Sequence, residues 1–322
     1  MTNSAPPRVS VVMANLNGAA HIAAAVGSVL RQSETSLELI VSDDGSTDDS
    51  LSRALGAAAG DPRLVVVRGG GRSGPGATRN RALAGARGGW IAIVDNDDLI
   101  GPDRLRRVID AAEADRADIA VDNILVFHED GTPPRPHLAE ESAPRWIGAA
   151  DYVRGNGMFA GRAQLGYLKP VFRRSSAPRY DETLFISEDF DLVLRLLIGG
   201  ARMRLYPELG YFYRKHSASI SHRLTPAQAS AMTVALDRLP PNLDPDLQAA
   251  LRKHRAALRD AGVYEAIVAA LKRRDVLAAC RLAAGRPSAL PLLRLPILAR
   301  FAPTPPAVVN PSWAAMLAEA GG

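Results

Sequence analysis

Hydrophobic and polar positions follow two textures along the chain. As far as residue 215, short apolar runs alternate with stretches whose apolar residues recur at helical spacing. Residues 9–14 form a β-rich run that stops at Asn15-Leu16-Asn17-Gly18. Ile22, Val26, Val29 and Leu30 then predict a helix over 21–32. A second strand is predicted at 37–42. It ends in Asp43-Asp44-Gly45-Ser46-Thr47-Asp48-Asp49, whose last four residues suit the cap of an Ala- and Leu-rich helix. A third strand at 64–67 leads into the Gly-rich turn 68–76, read as mobile, and a helix over 77–86. Gly88-Gly89 opens a buried strand at 90–94 that breaks off at carboxylates, and Pro102 suits the first turn of the next helix. Residues 118–127 predict another strand. This alternation argues for an α/β fold, a mostly parallel sheet with helices on both faces.

Between 128 and 146 the chain is Pro-rich and polar, which predicts a flexible loop, either gating a site or merely connecting elements. Ser187, followed by Glu188, Asp189 and an apolar stripe to Ile198, predicts a helix with a Ser N-cap. Residues 202–206 and 211–215 read as two strands split by Pro207. Beyond Thr225 the texture turns Ala-, Leu- and Arg-rich, which predicts a C-terminal helical region.

At 322 residues, 47% of them hydrophobic and 23% charged, the chain can bury one large core and carry an appendage. The formal charge of +5 comes without an aromatic-interleaved basic motif, so the expected partners are anionic small molecules or a lipid surface, not nucleic acid. Cys280 is the only cysteine, which rules out an internal disulfide and suits a reducing compartment. Residues 1–7 lack the basic and apolar regions of a signal peptide, and no apolar run is long enough for a membrane span. A cytoplasmic protein is expected.

The candidate chemistry centres on Asp95-Asn96-Asp97-Asp98. Open α/β sheets bind ligands outside the carboxyl ends of their strands, where these residues would sit. Asp95 and Asp97 lie two apart, so in extended chain they leave from one face. Such carboxylates suit Mg²⁺ or Mn²⁺ shared with phosphate oxygens. The plainer alternative is a solvated turn whose acids cap the helix after Pro102.

With their neighbours, these residues resemble a family 2 glycosyltransferase of the GT-A fold over roughly residues 8–223. The resemblance rests on the strand ending at Asn15-Leu16-Asn17, on residues 42–49 and on Gly76-Ala77-Thr78-Arg79-Asn80. It continues through residues 95–98, Ser187-Glu188-Asp189 and the run from Tyr213 through His216 to Ser221. It implies a catalytic domain at 8–223 and a helical extension at 224–322, packed on it or lying on an anionic membrane face. The implied reaction is an inverting transfer. A sugar moves from a nucleotide-diphospho-sugar, UDP-linked with UDP-glucose as the named candidate, to a hydroxyl of a saccharide or lipid-linked acceptor. Residues 186–223 also resemble glucosyltransferases of succinoglycan-type exopolysaccharide assembly.

Roles carry over residue by residue. Ala14 and Asn15 at the first strand end and Asp44 would hold base and ribose, Asn15 more through its backbone than its side chain, with Asp43 as their neighbour or as a helix cap. Arg79 would meet phosphate or base oxygens, or else stand as an exposed helix arginine. Asp97 would hold the metal with Asp95, which otherwise meets ribose, and Asn96 belongs to the same donor loop. Asp98 carries little weight and could cap the next helix. Asp189 would be the general base, a role typically worth about 10²–10⁴ in rate, with Glu188 orienting it or the acceptor. Asp191 would face solvent or an arginine. His216 would close over the diphosphate or approach the metal, with Arg214, Lys215 and Arg223 steadying charge. His21, His128, His137, His222 and His254 read as structural, Trp90 as packing, and Trp146 as packing or a sugar-stacking surface near the acceptor loop. Two other functions remain open on the residues: a metal-dependent nucleotidyltransferase, which gives Glu188-Asp189 no role, and a non-catalytic sugar-nucleotide-binding protein. A dehydrogenase does not fit, because residues 69–76 do not reproduce G-x-G-x-x-G at the first strand–helix turn.

Overall fold

Four parallel strands build the first half of the sheet: β1 (Val9–Asn15), β2 (Leu37–Asp43), β3 (Leu64–Arg68) and β4 (Trp90–Ile93). The computed structural model describes residues 5–139, 141–157, 164–176, 179–216, 224–294 and 311–321. Connections between these strands run through α1 (Ile22–Leu30), α2 (Ser50–Ala58) and α3 (Pro75–Gly85). β1, β2 and β4 are buried nearly throughout because helices cover both faces, the usual reason a parallel strand does not alternate. Val11, Val12, Met13, Leu39, Ile91 and Ile93 are fully buried. Each such side chain is worth about 1.5–3 kcal/mol relative to exposure.

The second half is more mixed than the alternation predicted. It holds β5 (Leu99–Ile100), β6 (Ile119–His128), β9 (Val171–Arg173) and β10 (Met203–Lys215), with β7 (Arg135–Pro136) and β8 (Arg145–Ile147) as short additions. The strand order is β3-β2-β1-β4-β9-β6-β10-β5, and β7 pairs with β6 and β8 with β10. β9 is antiparallel to both β4 and β6, while β6 and β10 are parallel. β6 and β10 therefore run in the direction of β1–β4, and the end of β10 arrives at the same sheet edge as Asp95.

Three expectations need correction here. The two strands expected around Pro207 are one bent strand, β10. Proline has no N–H to give the ladder, and register slips relative to β6 occur between Tyr206 and Leu209 and between Leu209 and Tyr211. The stretch 128–146 is not loop alone, since it contributes β7 and β8 to the sheet. Pro102 stands before the helix rather than in its first turn, because α4 (Arg104–Asp115) begins after Asp103.

After α5 (Ala149–Arg154) and α6 (Glu188–Ile198) come α7 (Pro226–Asp237), α8 (Pro245–Lys272) and α9 (Val276–Gly285). Thr225 and Gln228 close a reciprocal capping box at the start of α7. Met232, Leu236, Leu247, Leu251 and Leu258 join the same buried cluster as the sheet. The far half of α8 instead forms a small cluster of its own with α9, around Ile267, Ala270 and Ala279. A last helix (Pro311–Gly321) lays Trp313 and Leu317 against Leu99, Leu125 and Phe212. Among the described residues, no helix is long and apolar enough to cross a membrane.

Candidate active site

The ends of β1 and β2 make one wall. Asn15 Nδ2 donates to Asp43 Oδ1 (2.8 Å) and reaches Ser50 Oγ (3.0 Å) and Ser46 Oγ (3.1 Å), while its Oδ1 accepts from Asn96 Nδ2 (2.6 Å). The Asn15 side chain is thus a hub of the protein's own bonds along this wall. Ala14 lies one residue earlier, in register with Ser42. Burial would raise the Asp43 carboxyl, but bonds from Ser46, Asn15 and the Gly45 N–H outweigh it and hold its pKa below the usual range. Asp43 thus holds the turn after β2 rather than capping α2, which starts at Ser50. Asp44 Oδ2 accepts the N–H groups of Ser73 (2.7 Å) and Gly74 (2.9 Å), so the turn read as mobile is pinned to β2. Gly74 has φ +89°, and a Cβ there would come within 2.9 Å of the Phe185 ring. The turn therefore packs against the segment leading into α6.

The loop after β4 makes the second wall. Asp98 is fully buried and accepts from the Tyr211 hydroxyl (2.7 Å) and the Arg214 N–H (2.7 Å), so it ties β4 to β10 and does not cap α4. Burial, and then the charges of Asp97 and Asp95, push its pKa well above the usual carboxylate range. Asp97 is 31% exposed; its Oδ2 lies 3.0 Å from His216 Nε2, and its carbonyl accepts from Arg214 Nε (2.8 Å). One oxygen each of Asp95, Asp97 and Asp98 lies within 4.8 Å of the others. This all-oxygen set fits a hard divalent ion. Asp98 is committed to its two donors and Asp95 to two cations, which leaves Asp97 as the leading candidate ligand.

Helix α6 supplies the third wall. Glu188 and Asp189 are buried in its first turn. Ser187 is not the expected cap: it sits at φ 62° and its side chain makes no cap bond. What fixes the acidic pair is a set of cations. Arg79 Nη1 donates to Glu188 Oε1 (2.5 Å) and Nη2 to Asp95 Oδ1 (2.9 Å). Lys169 Nζ lies 2.7 Å from Asp95 Oδ2 and 3.3 Å from Asp189 Oδ2, and the Tyr180 hydroxyl donates to Asp189 Oδ1 (3.0 Å). Burial would raise Asp95, yet Lys169 and Arg79 hold it far below the usual range. For Glu188, burial prevails over Arg79 and the pKa is raised. Arg79 and Lys169 stay firmly protonated, because the carboxylates outweigh their burial.

Arg79 is therefore no exposed helix arginine; carboxylates take its guanidinium. Asp191 pairs with Arg195 (2.7 Å), one of the two outcomes expected for it. The ring of His21 lies 5.0 Å from that of His216, closer to the site than a purely structural reading foresaw. Trp90 packs as expected, with Nε1 donating to Glu113 (3.0 Å). Trp146 stands between Arg202 and Arg204 at the amino end of β10, away from His216, so it is not placed to stack on a sugar near the carboxylates. Arg223, His222 and residues 217–221 of the last motif lie outside the described residues.

Sequence reasoning passed over Lys169, Tyr180, Tyr211 and the buried pair Arg104–Asp122, which meet at 2.8 Å. Arg104 sits in Arg104-Leu105-Arg106-Arg107, which reads as a solvated helix face. Its placement after a buried strand loop was the one available signal.

Comparison with known proteins places this geometry. Residues 10–175 match the model of glycosyl transferase family 2. The succinoglycan biosynthesis protein ExoO of Rhizobium meliloti is 36% identical over 314 residues, covering 95% of this chain and 89% of that protein. ExoU, a succinoglycan biosynthesis protein of the same organism, is 36% identical over 81% of this chain and 78% of its own. Among solved structures, S. aureus TarS 1–349 in complex with UDP-GlcNAc superposes with a TM-score of 0.60 at 16% identity, covering 85% of this chain and 90% of that one. The mannosyltransferase PcManGT of Pyrobaculum calidifontis, in complex with GDP-Man and Mn²⁺, gives 0.54 at 18% identity over 98% and 86%. The fold is GT-A, and the chain belongs to glycosyl transferase family 2.

Proposed function

We propose that this glycosyltransferase moves a hexose from a UDP-linked donor, UDP-glucose first, to a hydroxyl of a saccharide or lipid-linked saccharide, inverting the anomeric centre, in exopolysaccharide biosynthesis. The observation that carries the reading is the cross-linking of Asp95 to Glu188 and Asp189 through Arg79 and Lys169, which joins the donor-side loop to the acidic pair. Support for the substrates comes from the names of ExoO and ExoU and from the sugar nucleotides bound to TarS and PcManGT.

Ala14, Asn15, Asp44 and Asn96 frame the base and ribose, and His216, with Arg214 and Lys215, faces the diphosphate. Asp97, with Asp95, would hold Mg²⁺ or Mn²⁺, whose charge would neutralise that growing on the leaving diphosphate, a contribution of several kcal/mol. Asp189 takes the proton of the acceptor hydroxyl. That oxygen bonds to the anomeric carbon as the bond to the diphosphate oxygen breaks, and the electron pair leaves with the nucleoside diphosphate. Glu188 orients the acceptor side through its bond to Arg79. Residues 8–223 form the catalytic domain, and residues 224–322 form an extension that meets the inner face of the cell membrane.

A donor screen for metal-dependent nucleoside diphosphate release tests the reading, with Asp97→Ala and Asp189→Asn as controls. Release of pyrophosphate, or full activity in both variants, overturns it.

A further inference from the structure

We infer that Lys169 is a positioning residue for transfer: its ammonium ties the donor loop at Asp95 to the base at Asp189, so that the two hold one fixed separation. The inference rests on the reading of Asp189 as base. Lys169 is only 8% exposed, and its backbone is held from two sides. Its carbonyl accepts from Arg104 Nη2 (2.8 Å), and the next carbonyl, of Pro170, accepts from the Ile93 N–H (3.2 Å) at the end of β4. Arg104 is itself paired with Asp122 and lies over the Tyr211 ring, whose hydroxyl bonds Asp98 and the Asp95 N–H. The root of the Lys169 side chain is thus fixed to the donor loop, and its tip reaches across to α6.

The two cations divide the work. Arg79 takes Glu188 at 2.5 Å and stands 3.9 Å from Asp189, whereas Lys169 takes Asp189 Oδ2 at 3.3 Å. Asp189 Oδ1 is occupied by Tyr180, a neutral donor rooted outside the donor loop. Lys169 is therefore the close charged link between Asp189 and that loop. An in-line displacement needs the attacking oxygen, the anomeric carbon and the departing oxygen collinear with the proton acceptor in hydrogen-bond reach of the attacking hydroxyl, so a loose base costs rate without costing donor affinity.

Lys169→Met and Lys169→Arg test this, each compared with wild type by calorimetric UDP binding in Mn²⁺, by hydrogen exchange and by nucleoside diphosphate release. With Met, turnover is expected to fall at least about thirtyfold while UDP affinity stays within about threefold. Amide protection at residues 191–194 is expected to fall about tenfold or more, with β1 and β2 unchanged. Arg, which keeps the charge, is expected to recover part of both. Loss of UDP affinity in step with turnover, or loss of protection throughout the sheet, shows a merely structural lysine and overturns the inference. Unchanged protection at 191–194 overturns it as well. Should Met fail to fold, the same comparison is made with Arg, whose altered reach is expected to shift turnover and not UDP binding. Failure of the underlying reading is separate, since it shows as full activity in Asp189→Asn.

Discussion

Charge is handled in opposite ways at the two ends of this molecule. At the sheet edge, Arg79, Lys169 and Arg104 are buried, and each lies on carboxylates of another element. Residues 245–294 carry ten Lys and Arg against four Asp and Glu, and Lys272, Arg273, Arg274 and Arg281 are exposed, pairing with no carboxylate among the described residues. Beside them, Val276 and Leu277 are 61% and 62% exposed. Buried pairs are tolerated only in good geometry, so they encode position. Exposed cations act over roughly the 10 Å Debye length of about 0.1 M salt, so they are free to meet an anionic surface. One region spends its charge on internal alignment; the other presents it.

If that contrast is right, the largest effects lie at the sheet edge and are felt by chemistry before stability. Asp97→Ala is expected to lower metal-dependent nucleoside diphosphate release by about 10³-fold or more, as chelation of the metal does. Asp189→Asn is expected to cost about 10²–10⁴. Asp97 is partly exposed and bonded to a single imidazole, so Asp97→Ala should leave the melting temperature nearly unchanged. A melting temperature that collapses with activity would make Asp97 a structural residue. Arg104→Met reverses the order, since it leaves Asp122, buried, with only the longer contact to Arg107 (3.3 Å), and should cost up to about 3–5 kcal/mol in urea unfolding. Adding Asp122→Leu to it should restore most of that loss; no recovery would mean that the pair is not the source.

The same contrast explains what could be read from sequence. The strands and helices of the first half were legible because hydrophobic period and turn residues act locally, and the carboxylates stood out because they end apolar runs. Of the cations that align them, Lys169 was not legible, and Arg79 was singled out without its carboxylate partners. Lys169 and Arg79 find their partners 74 and 109 residues away in Asp95 and Glu188, and no local pattern marks a lysine before a proline as buried. β9 escaped notice for a related reason: three residues paired antiparallel between β4 and β6 leave no periodicity to detect. Trp146 was misplaced because its position depends on β8 joining the far end of β10.

The presenting end predicts an intermediate effect. Vesicles containing anionic phosphatidylglycerol should retain the protein at low salt and release it as salt rises, whereas neutral phosphatidylcholine should not retain it. Each cation near such a surface is worth about 1 kcal/mol, so Arg273→Ala with Arg274→Ala should weaken binding roughly thirtyfold. Leu277→Ser should weaken it further without touching turnover in solution. Equal binding to both vesicle types, or no effect of the arginines, would leave this patch without the proposed partner.

The smallest predicted effect sits at the seam between the two regions. His254, on α8, stacks on Phe190 of α6 (5.1 Å between centroids), one residue past Asp189. It is buried in a small cavity lined by Ser187, Asp191, Met232 and Leu258, and both ring nitrogens lack a hydrogen-bond partner among the described residues. Burial, and then Arg255, lower its pKa from 6.5 to about 4. Because the folded value lies below the unfolded one, the unfolded chain binds the extra proton across that window. Stability is therefore lost as pH falls through it, by roughly 1–2 kcal/mol between about pH 7 and 5. His254→Leu should remove that component: the variant's stability relative to wild type should rise steadily as pH drops, whatever constant offset the lost ring stack adds. A pH-independent difference between the two in urea unfolding would mean that His254 titrates normally and that the seam between α6 and α8 is insensitive to acid.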